Sequence, residues 1–580
     1  MRRNLFATIS FLVLLIGNLR TQTNIVSTNA AAEQVLLGNY NPSTYSASTV
    51  INHPDSISKG IYTRVSPDSL HAYLDVLRSF QNRNSGADTT STVKGIGAAR
   101  KWVFRKFQQF SAQNQNRLLP SYLQFDLAIC GANQHKNIFA VLPGTDTSNK
   151  SVVIIEAHLD SRCAVLCDTA CVAEGMEDNG SGTALVLELA RIMSRYSYKN
   201  TIVFMLTIAE EQGLLGAEAF ADYAVQKGIK IKAVLNNDVI GGVFCGHTAS
   251  PPGCPGFGSI DSTHVRMFSY GGFSSFHKGL ARFIKLEYKE MIRPMATTPM
   301  TLHVMTPEDR TGRGGDHIPF HQKNFTAMRF TSANENGDAN VANVNYADRQ
   351  HTSGDILGLD TNNDAVLDSF FVDFRYLARN AVINGNAAGM AAIGPKTPDF
   401  TMASPLGENI VITITQQTNY LKYRVGLRTT TYDWDSVYTF VGTTVDTIKV
   451  PAGNYIASVA SVDDKDVESL FSKELLLTVT TGLKEQNRTV NACELLQNMP
   501  NPSDEATSIS VLVNKSMNYS EAFISIKDLS GKEVSKMPII LKEGINEVQY
   551  NHGYHMSGTF VYTLVIDGKV IQSRKMVFTN

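Results

Sequence analysis

Two apolar runs, Val152-Val153-Ile154-Ile155-Glu156-Ala157 and Thr201-Ile202-Val203-Phe204-Met205-Leu206-Thr207-Ile208-Ala209, flank a stretch at 184–196 whose apolar residues recur at helical spacing. Short β-branched runs without alternation suit strands buried on both faces, and a helix between two of them argues for parallel pairing. On either side, 137–142 and 233–240 read as further strands and 214–226 as another helix. Leu70, Leu74, Leu77 and Phe80, then Ala98, Trp102, Phe104, Phe107 and Phe110, give 69–113 a helical periodicity. The expected fold is α/β, a mostly parallel sheet with helices on both faces. A last helical stretch, 365–382, runs into Asn384-Gly385-Asn386 and a Gly/Pro-containing segment up to Pro398, where a domain boundary is expected.

Beyond Pro398 the texture is all β, with alternating runs at 409–415, 420–427 and 455–461 and a second such block from 493 to 580. Two small all-β sandwiches, 398–481 and 493–580, are expected there. Neither concentrates histidines or carboxylates, so both read as interaction or handling modules. Charge nearly cancels, 52 Lys and Arg against 53 Asp and Glu, and no basic or acidic block is present, so nucleic acid is a poor candidate partner. The N-terminus carries Met1-Arg2-Arg3-Asn4 and then a mostly apolar run from Leu5 to Ile16, the form of a secretory signal peptide over 1–22, with an uncleaved anchor as the alternative. No stable membrane insertion is expected once it is removed. Residues 23–64 read as an N-terminal segment and candidate propeptide, and 65–390 as the α/β domain. Export takes the seven cysteines into an oxidising compartment, where Cys163, Cys167 and Cys171 suit disulfides better than a metal site, and Cys245–Cys254 is the preferred pair.

Five motifs fall at or near predicted strand ends, where α/β sheets bind ligands. In Ala157-His158-Leu159-Asp160-Ser161 the period of two puts His158 and Asp160 on one side, as for a metal-bound imidazole held by a neighbouring carboxylate. Asp178-Asn179-Gly180-Ser181-Gly182 opens directly into a helix. Glu210 and Glu211 end a buried strand, where one can ligate a metal while the other acts on water as general base. Asp238 lies in an apolar strand, and His351 follows a long segment that also holds Asp316-His317. Singly each has a plainer reading: a hydrogen-bonded histidine, a helix cap, a solvated acidic pair.

Taken together and in this order, the motifs resemble the co-catalytic two-zinc aminopeptidase family, over roughly residues 65–385. The resemblance implies His158, Asp178, Glu211, Asp238 and His351 as ligands of two zinc ions, with Asp178 shared, Glu210 as general base and Asp160 as partner of His158. It implies a secreted exopeptidase acting on peptides with a free N-terminus. A zinc carboxypeptidase or glutaminyl cyclase of the same fold, or a non-catalytic surface binding protein, are the alternatives. Asp355, four residues after His351, is expected to orient it, and Asp316-His317 to serve either structure or substrate contact. Aminopeptidase polarity is favoured because Glu177, Asn179, Glu210, Asn236 and Asn237 flank the ligands, while Arg162, Arg313 and Arg349 lie in loops of unread orientation.

The C-terminal blocks carry resemblances too. Residues 398–481 are similar to a fibronectin type III module. Residues 493–580 are similar to the sorting domain of type IX secretion, through Leu495-Leu496-Gln497-Asn498-Met499-Pro500-Asn501-Pro502, Ile526-Lys527-Asp528-Leu529-Ser530-Gly531 and Gly558-Thr559-Phe560-Val561-Tyr562. That implies the type IX machinery as partner and passage through the periplasm of a gram-negative bacterium to the medium or cell surface.

Overall fold

The computed structural model describes residues 22–579 apart from 246–258, 310–313, 334–348, 406, 416–419, 430–432, 480–491, 500, 504–505, 514 and 553–556. Nine strands form the main sheet: β1 (Thr23–Ser27), β2 (Leu119–Ile129), β3 (Ala132–Leu142), β4 (Ser151–His158), β5 (Thr201–Thr207), β6 (Lys230–Asn237), β7 (His264–Phe268), β8 (Thr301–Val304) and β9 (Ala327–Ser332). The helices are α1 (Ala30–Leu36), α2 (Pro54–Arg64), α3 (Pro67–Ser79), α4 (Gly95–Gln113), α5 (Gly182–Met193), α6 (Leu215–Lys227), α7 (Phe276–Glu287), α8 (His317–Gln322) and α9 (Phe374–Ile393).

Strand order is β1-β2-β3-β5-β4-β6-β9-β7-β8. The centre, β5-β4-β6-β9, is parallel as expected. Both flanks bring antiparallel pairs, so four of the eight neighbouring pairs are antiparallel and the sheet is mixed rather than mostly parallel. The difference has a physical cause. A hairpin needs only a tight turn, and β2 and β3 are joined through Cys130 and Gly131, both at positive φ. Every position of β5 is buried, as continuous β-branched runs demand in a sheet covered on both faces.

Residues 23–64, expected as a separate segment and candidate propeptide, are built into this domain. β1 pairs with β2 along the sheet edge, and Val35, Leu36, Ile57 and Ile61 are at most 1 % exposed within the main core. The helical stretch at 69–113 is two helices, α3 and α4, separated by 80–94. The last helix starts later than the pattern suggested and runs through Asn384-Gly385-Asn386 to Ile393. Tertiary contacts override the turn signal there. A Cβ at Gly385 would lie 2.8 Å from Leu189 and 3.2 Å from Ile61, and Asn386 accepts from Ser58 Oγ at 2.6 Å. The boundary therefore falls after Ile393 rather than at residue 390.

Cys130 is bonded to Cys167 and Cys163 to Cys171, which makes the loop cysteines disulfides. Cys245 is disulfide-bonded too, while Cys254, the partner expected for it, lies outside the described residues, as does the expected signal peptide over 1–21.

After α9, a three-stranded and a four-stranded antiparallel sheet enclose one core containing Ile410, Ile412, Val425 and Val459. A second such pair of sheets encloses Leu495, Ile509, Ile524, Tyr562 and Leu564. The first pair is docked on the α/β unit, since Ala460, Val467 and Phe471 belong to the main core. At this junction buried Glu474 binds Arg428 by two contacts of 2.7 Å, lies 2.8 Å from Arg282 Nη2 and accepts the Ser274 N–H at 2.9 Å. Burial pushes its carboxyl up, but Arg282 and Arg428 outweigh that and bring it down to about 2.

Replacing Glu474 by Gln removes the carboxylate that two buried arginines share. The expected loss is about 3–5 kcal/mol of stability at pH 7, measured by denaturant unfolding. Because its folded pKa lies below its unfolded value, the contribution is present above the ordinary carboxylate range and fades as pH falls toward 2. The difference between variant and wild type should therefore shrink in acid. Equal stability at pH 7 would show that the ion cluster adds nothing.

Candidate active site

The site gathers at the carboxyl ends of the three adjacent parallel strands β5, β4 and β6. His158 is the last residue of β4 and Asp238 the first after β6, while Glu210 and Glu211 follow β5 by three and four residues. Asp178 comes from the turn that leads into α5. His351 arrives from the loop before α9. Ala209, Val239 and His351 all have positive φ, at 58°, 55° and 60°. For a β-branched residue such as Val239 this is a true outlier, and such strain collects at functional sites.

Asp178 sits between the two imidazoles. Its Oδ1 lies 3.1 Å from His158 Nε2 and its Oδ2 3.1 Å from His351 Nε2. A second carboxylate approaches each of the same nitrogens, Asp238 Oδ1 at 3.2 Å from His158 Nε2 and Glu211 Oε2 at 3.2 Å from His351 Nε2. The arrangement is thus two half-sites joined through one aspartate. Proximity also groups Glu210 with His158 and Asp238. Its Oε2, however, is 4.0 Å from His158 Nε2, against 3.1 Å for Asp178, so the Asp178 oxygen is the nearer donor and Glu210 is left facing the cavity.

The electrostatics follow from crowding four carboxylates around two rings. Burial lowers the affinity of His351 for a proton, but Glu211 and Asp178 outweigh it and raise its pKa to about 10. Burial likewise opposes a charge on His158, yet Glu210 and Asp238 hold its pKa well above the ordinary value. Asp178 would be pushed up by burial and is instead held well below its usual range by both histidines. Glu210 goes the other way, because burial drives its carboxyl well up.

Asp160, expected beside His158, does lie near it, with Oδ1 3.6 Å from Nδ1, but the ring's nearer partner is the Asp160 carbonyl at 3.1 Å. The Asp160 carboxylate accepts the backbone N–H groups of Glu210 and Glu211, each at 3.3 Å, so it fixes the acidic turn. Asp355, expected to orient His351, accepts the N–H groups of Glu177 and Asp178 at 2.9 Å and so braces the Asp178 turn. Asp316 and His317 are fully buried, the former taking a hydrogen bond from Thr207 Oγ1, which gives them a structural role. Asn179, Asn236 and Asn237 are buried too, with Asn236 donating to Glu156 and Asn179 to the Asn237 carbonyl. Three of the five residues expected to set polarity are therefore framework. Gly182 belongs with them, because a Cβ there would lie 2.3 Å from the Asn237 carbonyl oxygen.

Three arginines were not assigned to the site by the sequence. Arg83 is fully buried and donates to the carbonyls of Leu159 at 2.7 Å and Gly175 at 2.9 Å, tying the His158 loop to the segment before Asp178. Arg329, on β9, binds Asp309 at 3.0 and 3.1 Å and Asp238 Oδ2 at 3.1 Å. Arg162 donates to Glu211 and its Nη2 lies 2.7 Å from His351 Nδ1. Of the other two arginines left unread, Arg349 lies over the Phe371 ring and Arg313 is outside the described residues. A cavity of about 250 Å³ opens over the half-sites, walled by Arg162, Glu210, Leu214, Asp238, Arg329 and His351 among others.

The model of peptidase family M28 matches residues 137–246, which contain His158, Asp178, Glu210, Glu211 and Asp238. A probable zinc metalloprotease of Pyricularia oryzae is 31% identical over 356 residues, 59% of this chain and 67% of that protein. The chain belongs to peptidase family M28. A second probable zinc metalloprotease, from Pyrenophora tritici-repentis, is 28% identical over 64% of this M28 chain and 82% of its own length. Among solved structures, the LapA aminopeptidase of Legionella pneumophila is 18% identical with a TM-score of 0.42, covering 58% of this chain and 74% of that one.

Proposed function

We propose that this M28 chain is a zinc-dependent aminopeptidase that removes N-terminal residues from peptides outside the cell. His158, Asp178, Glu211, Asp238 and His351 would hold two zinc ions, and Glu210 would be the general base. The observation that carries the reading is Asp178 with one oxygen toward each imidazole, 3.1 Å from both. The residues fit the metal: imidazole nitrogens and carboxylate oxygens suit zinc, and Glu211 Oε1 is a buried acceptor without a hydrogen-bond partner among the described residues. Zinc held there would supply Lewis acidity, acidifying water and polarising the scissile carbonyl.

The chain's own groups do the rest. Glu210, its pKa raised by burial, can take a proton from water and return it to the leaving amine. Asp160 and Asp355 fix the two turns that present Glu210 and Asp178. Glu210, the carboxylate of the cavity wall left free of metal in this assignment, suits a substrate ammonium. One observation favours a second reading, a carboxypeptidase: Arg162 lines the same cavity, and a cation there suits a substrate carboxylate. The extracellular setting rests on the N-terminal run, the motifs of 493–580 and two disulfides of the kind that persist in oxidising compartments.

A matched pair of peptides, Leu-initiated and its N-acetylated form, assayed separately in the medium and in the cells of the native host, tests the reading. The free-amine peptide should be cleaved by the medium and the blocked one left intact. Loss of the C-terminal residue from the blocked peptide would transfer the site to the carboxypeptidase reading, and activity confined to cells would contradict export.

A further inference from the structure

The two arginines in the cavity wall are not equivalent. Arg329 is fully buried and faces two carboxylates, Asp309 and Asp238, so its charge is already matched. Arg162 keeps 19% of its side chain exposed, and Glu211 is the one carboxylate it pairs with among the described residues. Its Nε donates to Glu211 Oε2 at 2.7 Å, Nη2 lies 2.7 Å from His351 Nδ1, and Nη1 is 3.4 Å from the Cys163 carbonyl. A guanidinium carries five N–H donors in a planar fork, so among the described residues those contacts engage at most three of them, on a head that borders the cavity.

The backbone that presents this head is fixed on both sides. Ser161 is buried, accepts the Arg83 N–H at 3.1 Å and donates to the Ala173 carbonyl at 2.8 Å. On the other side Cys163 is bonded to Cys171. A rigidly mounted, partly solvated arginine with spare donors is a recognition element for a planar anion, because little ordering entropy remains to be lost on binding.

We infer that Arg162 is a specificity-determining residue that pairs with a substrate carboxylate lying within one residue of the scissile bond. The inference rests on the exopeptidase reading of this site and names its preferred substrates. Two sources offer that carboxylate. One is an acidic side chain on the terminal residue, and the other is the C-terminal carboxylate of a dipeptide. In either case Arg162 offers a charge-assisted contact that the corresponding amide cannot match.

The test uses the zinc-replete full chain and two acid/amide pairs, Leu-Gly against Leu-Gly-amide and Glu-p-nitroanilide against Gln-p-nitroanilide. In the wild type one pair should show an acid-over-amide ratio in kcat/KM of roughly tenfold to a hundredfold, and the pair that shows it identifies the source. The ratio should collapse toward one in Arg162→Gln and be intermediate in Arg162→Lys, which keeps the charge but not the fork. Zinc content is measured for each variant, since Arg162 also touches Glu211 and His351. Calorimetric binding of a Leu-Gly analogue with a reduced peptide bond, and of a glutamate analogue, each against its amide, gives the same ratio without turnover. Failure to cleave any of these substrates would end the exopeptidase reading while the binding ratios still decide the role of Arg162. Equal handling of acid and amide in both pairs, or a preference that survives Arg162→Gln, would overturn the inference.

Discussion

Replacing Glu210 by Gln should leave the zinc content of the protein at its wild-type level and lower kcat by about 10²–10⁴-fold, the range a positioned general base contributes. The expectation comes from distance and from charge. Glu210 is 4.0 Å from His158 Nε2, whereas Asp178 and Asp238 approach the same atom to 3.1 and 3.2 Å, so the half-site is complete without it. Its carboxyl is pushed up by burial, which makes it a better proton acceptor than an exposed glutamate. The Gln side chain keeps the size and loses the basicity. Metal analysis beside steady-state kinetics separates the outcomes. Rate lost with metal retained fits the base, rate and metal lost together would make Glu210 a ligand, and a near wild-type rate would remove it from the chemistry.

Replacing Asp178 by Ala should do more damage, because one side chain serves both half-sites. Each of its oxygens faces a different imidazole, and its N–H is held by Asp355 so that the carboxylate cannot easily be replaced by a neighbour. Removal leaves His158 with Asp238 and His351 with Glu211, two donors each, where a tightly held zinc ion takes three protein ligands or more. The variant should lose zinc from both halves on dialysis and fall by at least about 10³-fold in rate. His351→Ala, by contrast, should empty only its own half. Retention of two zinc ions by Asp178→Ala would break the shared-carboxylate account.

Much of the site was legible because its residues sit where strand chemistry concentrates them. His158 and Asp238 end or follow apolar runs, and the acidic pair Glu210-Glu211 follows a strand buried along its whole length, positions where an isolated charge is costly. What the sequence hid are contacts between distant segments. Arg162 meets His351 across 189 residues and Asp355 meets Asp178 across 177, and no local pattern announces either. Closeness in sequence to His351 is the only local cue for Asp355, and it does not reveal the two N–H groups of the Asp178 turn that Asp355 accepts.

The fold shows the same division. β3 to β6 were readable from continuous apolar runs, while β1, β2, β7, β8 and the central β9 were not, β2 alternating in burial and the others being short. Asn384-Gly385-Asn386 reads locally as a helix stop and is helix interior here. Gly385 lets α9 approach α5 and α2, and Ser58 satisfies Asn386.

Zinc-edge anomalous diffraction from crystals of the zinc-loaded full chain tests whether Asp178 joins two metal half-sites. Two peaks about 3.5–4 Å apart are expected, one beside His158 and Asp238, the other beside Glu211 and His351, with an Asp178 oxygen on each. A single peak, or two peaks that Asp178 does not touch, would contradict that arrangement.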